Sequence, residues 1–297
     1  MKIKYREFGF YKTFSYRLKT SKERYRIRRS SIPRFYLQRT PELIYIIEFL
    51  KCDGSISIWK IGNGFGGEII FSSTNNSYKE RLISLVQKQF PNITTFKRPD
   101  GFGISSLVLS ALLSQRFSVP IGEKEEMKCI IPKNFEEAKM ILRSVIDSEG
   151  NVDAYSGNIV IGNISKEYLE SYRHILSKWF KIKTSYLSPT KSWGRETLRI
   201  SISKADNLRN IFEIGLFNPS KQENLKFIIE SLNKYYIEKN YLKKKIKQIL
   251  INPKTINDVS FEINLAPYIT RRILRHMKIK KVGKININNR FNDLWGL

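Results

Sequence analysis

The chain has 297 residues, 41% of them hydrophobic and 12% aromatic, enough to bury two or three modest cores and too apolar for a disordered polymer. Its 53 Lys and Arg against 27 Asp and Glu leave a net charge of +26, far beyond the needs of solubility; counterion release from phosphate backbones is the usual reason, so DNA or RNA is the expected partner. The charge is spread along the chain rather than gathered on one amphipathic helix, and no run approaches the ~20 apolar residues of a membrane span.

Residues 1–39 carry 13 Lys and Arg against Glu7 and Glu23, with many tyrosines, and read as a basic DNA-contacting arm. Thr40-Pro41-Glu42 then supplies a capping hydroxyl, a proline for the first turn and an early acid. The helix it starts runs through Leu43, Ile46, Ile47 and Leu50 to Gly54, a residue suited to a left-handed cap. Residues 55–60 alternate as a strand does, and the glycine-rich stretch from Gly62 to Gly67 links them to a second strand at 68–73. That stretch lacks the helix and lysine of a phosphate cradle and reads as a hairpin loop. A helix at 77–90, strands at 94–97 and 103–108 and a short helix near Ala111 follow.

The order then repeats. A helix opens at Asn134 or Phe135 and ends at Gly150, and 158–162 makes a strand. Residues 166–180 make a helix, 181–187 and 197–203 a hairpin across Pro189 and Gly194, and 205–216 and 221–236 two further helices. Repetition at this length implies a pseudo-symmetric duplicated fold. The expected domains are a basic arm at 1–39, halves at 40–133 and 134–236, and a last domain at 237–297. In that last domain a helix at 255–263, a turn at Asn264-Leu265-Ala266 and a helix opened by Pro267 fit a helix-turn-helix, with 278–287 as a wing. Its second helix would present Tyr268, Thr270, Arg271, Arg272 and Arg275.

The duplicated halves share one ending, an apolar helix closed by an acid and a glycine: Cys52-Asp53-Gly54 and Ser148-Glu149-Gly150. The helix dipole disfavours a carboxylate at a C-terminus, so local structure alone would not choose these acids. If the two helices pack side by side, Asp53 and Glu149 meet, and the like charges call for a divalent cation. Mg²⁺ held by one or two carboxylates, with phosphate oxygens completing its shell, fits phosphodiester hydrolysis. Asp147 sits two residues before Glu149 and should point away from it. His174 and His276 are solitary. Cys52 and Cys129, with no CxxC, argue for a reducing compartment, cytoplasm or nucleoid, and against structural zinc.

These residues resemble the LAGLIDADG homing endonucleases in their single-chain, two-motif form. Thr40-Pro41-Glu42-Leu43 and Asp147-Ser148-Glu149-Gly150 are most similar to archaeal and intein-associated members, and the resemblance spans about residues 33–236. It implies an α+β fold of two αββαββα halves, with the motif helices as their interface and two four-stranded sheets saddling the DNA major groove. The C-terminal helix-turn-helix, winged-helix-like, would be an extension. The resemblance further implies a monomer that cuts both strands of a long double-stranded DNA site with two or more Mg ions, leaving short 3′ overhangs. Asp53 and Glu149, with Gly54 and Gly150 beside them, take the metal positions.

The chain also departs from the family pattern. Ser144 and Ser148 supply the small residues that close helix packing wants, but Glu48 is large and charged, and Lys51 and Arg143 are unusual. The strand ends near the scissile phosphate offer only Asn75 and Asn163, so Lys124 and Lys221, in the loops closing each half, are the expected catalytic replacements. Strand alternation assigns Ser55, Ser57 and Trp59, then Lys181, Lys183 and Ser185, then Arg199, Ser201 and Ser203, to DNA-facing sides. Two alternatives stay open beside the endonuclease: a same-fold DNA-binding regulator or replication factor without catalysis, and an RNA maturase.

Overall fold

The computed structural model describes residues 2–7, 10–27, 29–122, 124, 127–192, 195–287 and 290–296. In chain order, β1 (Lys2–Glu7) and β2 (Phe10–Ser15) pair antiparallel, and β3 (Leu18–Thr20), β4 (Arg24–Ile27) and β5 (Ser30–Pro33) form a small sheet of their own. A 3₁₀ turn then leads into α1 (Pro41–Cys52). The first half continues with β6 (Gly54–Ile61), β7 (Gly64–Ser72), α2 (Asn76–Gln89), β8 (Thr95–Arg98), β9 (Gly101–Ser105) and α3 (Leu107–Phe117).

The second half repeats this order with α4 (Phe135–Glu149), β10 (Gly150–Asp153), β11 (Asn158–Asn163), α5 (Lys166–Phe180), β12 (Ser188–Ser192), β13 (Arg195–Ile202) and α6 (Ala205–Ile214). The αββαββα arrangement is therefore present twice in an α+β fold. After it come α7 (Pro219–Ile249), β14 (Lys254–Thr255), α8 (Ile256–Ile263), α9 (Pro267–His276), β15 (Lys280–Ile287) and β16 (Arg290–Gly296). By compactness the chain divides into one unit of residues 1–150, 161–200 and 216–219 and another of 151–160, 201–215 and 220–297.

In the first unit the sheet has six strands in the order β2-β1-β6-β7-β9-β8. Its core face carries Ile56, Ile58, Ile69, Phe71, Phe102 and Ile104, all buried, under α1, α2 and α3. The helix start read from Thr40 forms as expected: its hydroxyl accepts from the Leu43 amide at 3.1 Å and Pro41 opens the helix. The start of the basic lead-in is folded into the first sheet. Ile3 and Tyr5 are buried, and β1 pairs in parallel with β6, Arg6 opposite Trp59.

Gly54 and Gly150 serve space rather than handedness. Asp53 caps α1 at φ −92°, Gly54 already lies in β6 without a positive φ, and Gly150 sits at φ −78°. A methyl at Gly150 would stand 2.5 Å from the Ile146 carbonyl oxygen, and one at Gly54 would stand 2.9 Å from that of Ile70. The strand following each motif helix leaves so close to the last turn that only a glycine passes. Gly150→Ala is accordingly expected to cost about 1–3 kcal/mol of stability; an unchanged thermal midpoint would show that the backbone yields freely.

Several elements differ from expectation. Residue 108 belongs to α3, whose capping Ser106 hydroxyl accepts from the Leu109 amide, and not to the preceding strand. The second hairpin is β12 with β13, paired from Ser188–Arg199 to Ser192–Arg195, while 181–187 is irregular. Lys181 is the left-handed cap of α5 at φ 57°, which turns the chain away before a strand can start. Gly194, expected in that turn, lies outside the described residues. The helix expected to end at residue 236 runs on to Ile249, bending at Glu238 where φ is −107° and ψ 20°.

The C-terminal elements of the second unit are two short helices, α8 and α9, and a sheet in the order β14-β16-β15. Thr255 and Asp258 form a reciprocal capping box on α8, and Asn264 turns left-handed at φ 52° between the helices. Ile256, Val259, Ile263, Ile269, Ile273 and Leu274 bury between them. α7 holds this module through the Ser231 hydroxyl, which accepts from the Ala266 amide at 2.8 Å, and through Lys234, which donates to the Ile263 carbonyl at 3.0 Å.

Candidate active site

α1 and α4 pack side by side within the first unit, and small side chains let them approach. The Ser144 hydroxyl donates to the Tyr45 carbonyl at 2.9 Å, and Ser148 folds back onto the Ser144 carbonyl at 2.7 Å. Asp147 does turn away from Glu149. It accepts from the Tyr45 hydroxyl at 2.8 Å and from the Phe217 and Asn218 amides at 3.0 Å, tying the segment after the second repeat to the motif helices. Arg143, unusual in the family pattern, lies 4.8 Å from the Phe217 ring centre, with Arg81 at 4.9 Å.

The other departures, Glu48 and Lys51, explain each other. Both are buried, at 0% and 2% exposure, and the Lys51 ammonium donates to Glu48 at 3.2 Å and to the Lys128 carbonyl at 2.8 Å. Glu48 also accepts from the Ile130 amide at 2.7 Å and the Tyr168 hydroxyl at 2.8 Å. The pair thus pins the segment joining the two halves between α1 and α5. Ser165 and Ser171 add to the clamp: Ser165 donates to the Met127 carbonyl at 3.1 Å, and Ser171 accepts from the Cys129 amide at 2.9 Å. Arg39 closes the far end of the segment on Glu137 and the Ile131 carbonyl, and its guanidinium holds the Glu137 carboxyl below its ordinary range.

At the paired helix ends, Asp53 is exposed and Glu149 half-buried. Asn163, at the end of β11, donates to Glu149 Oε1 at 3.1 Å while its own oxygen accepts from the Ser165 amide at 2.9 Å. The Lys124 ammonium donates to the Cys52 and Gly54 carbonyls. Burial lowers its pKa, and the charges of Cys52, Glu149 and Asp53 act against that shift, so one cation senses both motif acids. Burial first, then Glu149, pushes the Cys52 thiol well above its usual range, so it is no nucleophile. A cavity of about 390 Å³ opens here, lined by Cys52, Lys124, Met127, Glu149, Gly162, Asn163, Ile164 and Thr197.

Two carboxylates and the carbonyls beside them offer only hard oxygen donors, the chemistry that suits Mg²⁺ rather than zinc. Among the described residues no cluster of three or more His, Cys, Asp or Glu exists, so protein ligands alone would leave most of an ion's shell to water and phosphate. Asn75 caps α2, accepting from the Tyr78 amide at 3.0 Å, and Lys221 is half-buried near the start of α7.

On the outer face of β6, Ser57 is exposed and Ser55 and Trp59 half-buried, as alternation predicts. Trp59 lies across Gly66, where a methyl would stand 2.8 Å from its ring. Arg199 is exposed and Ser201 half-buried on β13, while Lys181, Lys183 and Ser185 are exposed but on irregular chain. In the second unit Thr270 is buried against Ala266, so α9 cannot present it. Tyr268 packs on Gly157, Arg271 lies 4.4 Å over the Tyr155 ring and Arg272 6.0 Å over Tyr235, which leaves Arg275 as the exposed cation of that set.

Residues 136–214 match the family described as a LAGLIDADG-like domain. The chain carries a LAGLIDADG-like domain. It is also similar to full-length DUF199/WhiA from Thermatoga maritima, at 17% identity and a TM-score of 0.40 over 82% of this chain and 95% of that one. The homing endonuclease I-WcaI bound to its DNA recognition sequence shows 13% identity and a TM-score of 0.39 over 66% and 90% of the chains. I-SmaMI bound to cleaved DNA shows 10% and 0.43 over 67% and 92%. No curated protein matches the chain. Among the described residues, no helix is long and apolar enough to cross a membrane.

Proposed function

We propose that this chain is a site-specific endonuclease of double-stranded DNA. One observation carries the reading: Lys124 stands in the field of one acid from each repeat, Asp53 and Glu149, beside a cavity at the ends of the paired motif helices. Asp53 and Glu149 would hold Mg²⁺ there, which when bound supplies Lewis-acid stabilisation of a phosphoryl oxygen and a more acidic water. Asn163 fixes the rotamer of Glu149, and Lys124 offsets the negative charge that builds on phosphate during hydrolysis. The net charge of +26 supports binding to the phosphate backbone, and the polar faces of β6 and β13 would read groove edges.

A second reading is favoured by the same lysine. Its hydrogen bonds to the Cys52 and Gly54 carbonyls already satisfy oxygens next to the acids, as suits a protein that binds duplex DNA without cutting it. The two separate by experiment. A binding site is selected from a random duplex library with the full chain, then incubated with the protein in Mg²⁺ or in chelator. The endonuclease reading expects cuts in both strands in Mg²⁺ alone, whereas retention of the duplex without a nick establishes the second reading in its place.

A further inference from the structure

The first sheet is wider than the repeat accounts for. Each αββαββα half contributes four strands, and the second sheet has four, in the order β10-β11-β13-β12, but β1 and β2 bring the first to six. The added hairpin is built into the unit rather than resting on it. Ile3 and Tyr5 are buried, the Phe14 ring stacks on Phe65 at 3.6 Å, Tyr5 meets Phe65 edge-on at 4.9 Å, and Gln115 on α3 donates to the Lys2 carbonyl at 2.8 Å.

The register decides what the opposite side presents. Arg6 stands beside Trp59 in the parallel pair, so it shares the outer face with Ser57 and Ser55, and alternation puts Lys4 and Lys2 on that face too. All three cations are exposed, and Ser15 and Thr13, the cross-strand partners of Lys2 and Lys4, are exposed polar residues. The underside is apolar and the top is a row of three positive charges continuous with the face assigned to DNA. Two strands add about 10 Å of width to it.

We infer that the N-terminal hairpin is part of the DNA-binding surface and that Lys2, Lys4 and Arg6 bind backbone phosphates of one half of the target site only, the second sheet having four strands and no such extension among the described residues. This rests on the duplex-binding reading. The hairpin would strengthen and place the complex without reading bases, since exposed cations on the outer face of a sheet neutralise phosphates rather than select sequence.

The test compares the full chain with K2A/K4A/R6A, and with K2Q/K4Q/R6Q as a bulkier neutral set, on the selected duplex. Because the three side chains are exposed, both variants should keep the thermal midpoint of the unsubstituted chain. The expected result is a salt dependence of log K shallower by about 2 to 3 units, near one per lost phosphate contact. Ethylation interference should also lose positions on one half-site while the other half-site and the selected sequence stay the same. An unchanged slope with unchanged interference in both variants overturns the inference while leaving duplex binding intact. Failure of the unsubstituted chain to bind any duplex overturns both.

Discussion

Replacing Asp53 with Asn, or Glu149 with Gln, should slow Mg²⁺-dependent strand cutting by about 10³-fold, the scale on which one pre-aimed charged group contributes to catalysis. Duplex affinity should hold or rise slightly. The physical reason is the sign of the charge. In the proposed site each acid would face a phosphate, and Lys124 senses the charge of both, so removing a carboxylate lessens repulsion of the DNA and leaves more of the ammonium's charge to act on phosphate. Asn and Gln keep the side-chain size, and the exposed Asp53 in particular supports little packing. Electrophoretic shift and cleavage measured on the same selected duplex check both halves of the expectation. Loss of binding together with cutting, in both variants, would mean that the acids hold the structure rather than the reaction.

Glu48→Ala should remove about 3–5 kcal/mol of stability, the cost of stranding one member of a buried ion pair. The substitution takes the acceptor from three donors at once, the Lys51 ammonium, the Ile130 amide and the Tyr168 hydroxyl, all inside the protein. Glu48→Gln should cost less, because its carbonyl oxygen still serves one or two of those donors. Urea midpoints for the two variants give the comparison. An alanine variant within about 1 kcal/mol of the unsubstituted chain would show that water reaches Lys51, contrary to its 2% exposure.

The two acid-glycine endings and the repeated element order were legible because they rest on local periodicity: Thr40 caps α1, Leu43 to Leu50 bury, and the strands of β6 alternate as written. The family resemblance puts Asn163, at a strand end, near the scissile phosphate, though nothing in the sequence marks its hydrogen bond to Glu149. What could not be read depends on partners distant in the chain. Glu48 looks like a defect until the joining segment at Lys128 and Ile130 arrives to meet it. Gly54 looks like a left-handed cap until the Ile70 carbonyl is seen beside it. The alternation Lys2-Ile3-Lys4-Tyr5-Arg6 signals a strand, but the partners that hold it, Trp59 and Phe65, lie far along the chain. In the C-terminal unit, Arg271 lies over Tyr155, a contact with a residue more than a hundred positions away that nothing local marks.

Tyr78 and Tyr168 stand three residues after the capping Asn75 and Ser165 of equivalent helices, yet they have taken up different work. Tyr78 shares its hydroxyl with Tyr45, which reaches Asp147, while Tyr168 serves Glu48 and lies 3.2 Å from the Cys52 sulfur. The repeats are no longer interchangeable parts. Two copies of the first would keep a tyrosine, Tyr78, at the position of Tyr168, but two copies of the second would bring Asp147 against a helix with Ile141 where Tyr45 stands. A homodimer built from the second repeat would therefore deny Asp147 that hydroxyl, and a hybrid that exchanges the first repeat must bring Tyr45 with it.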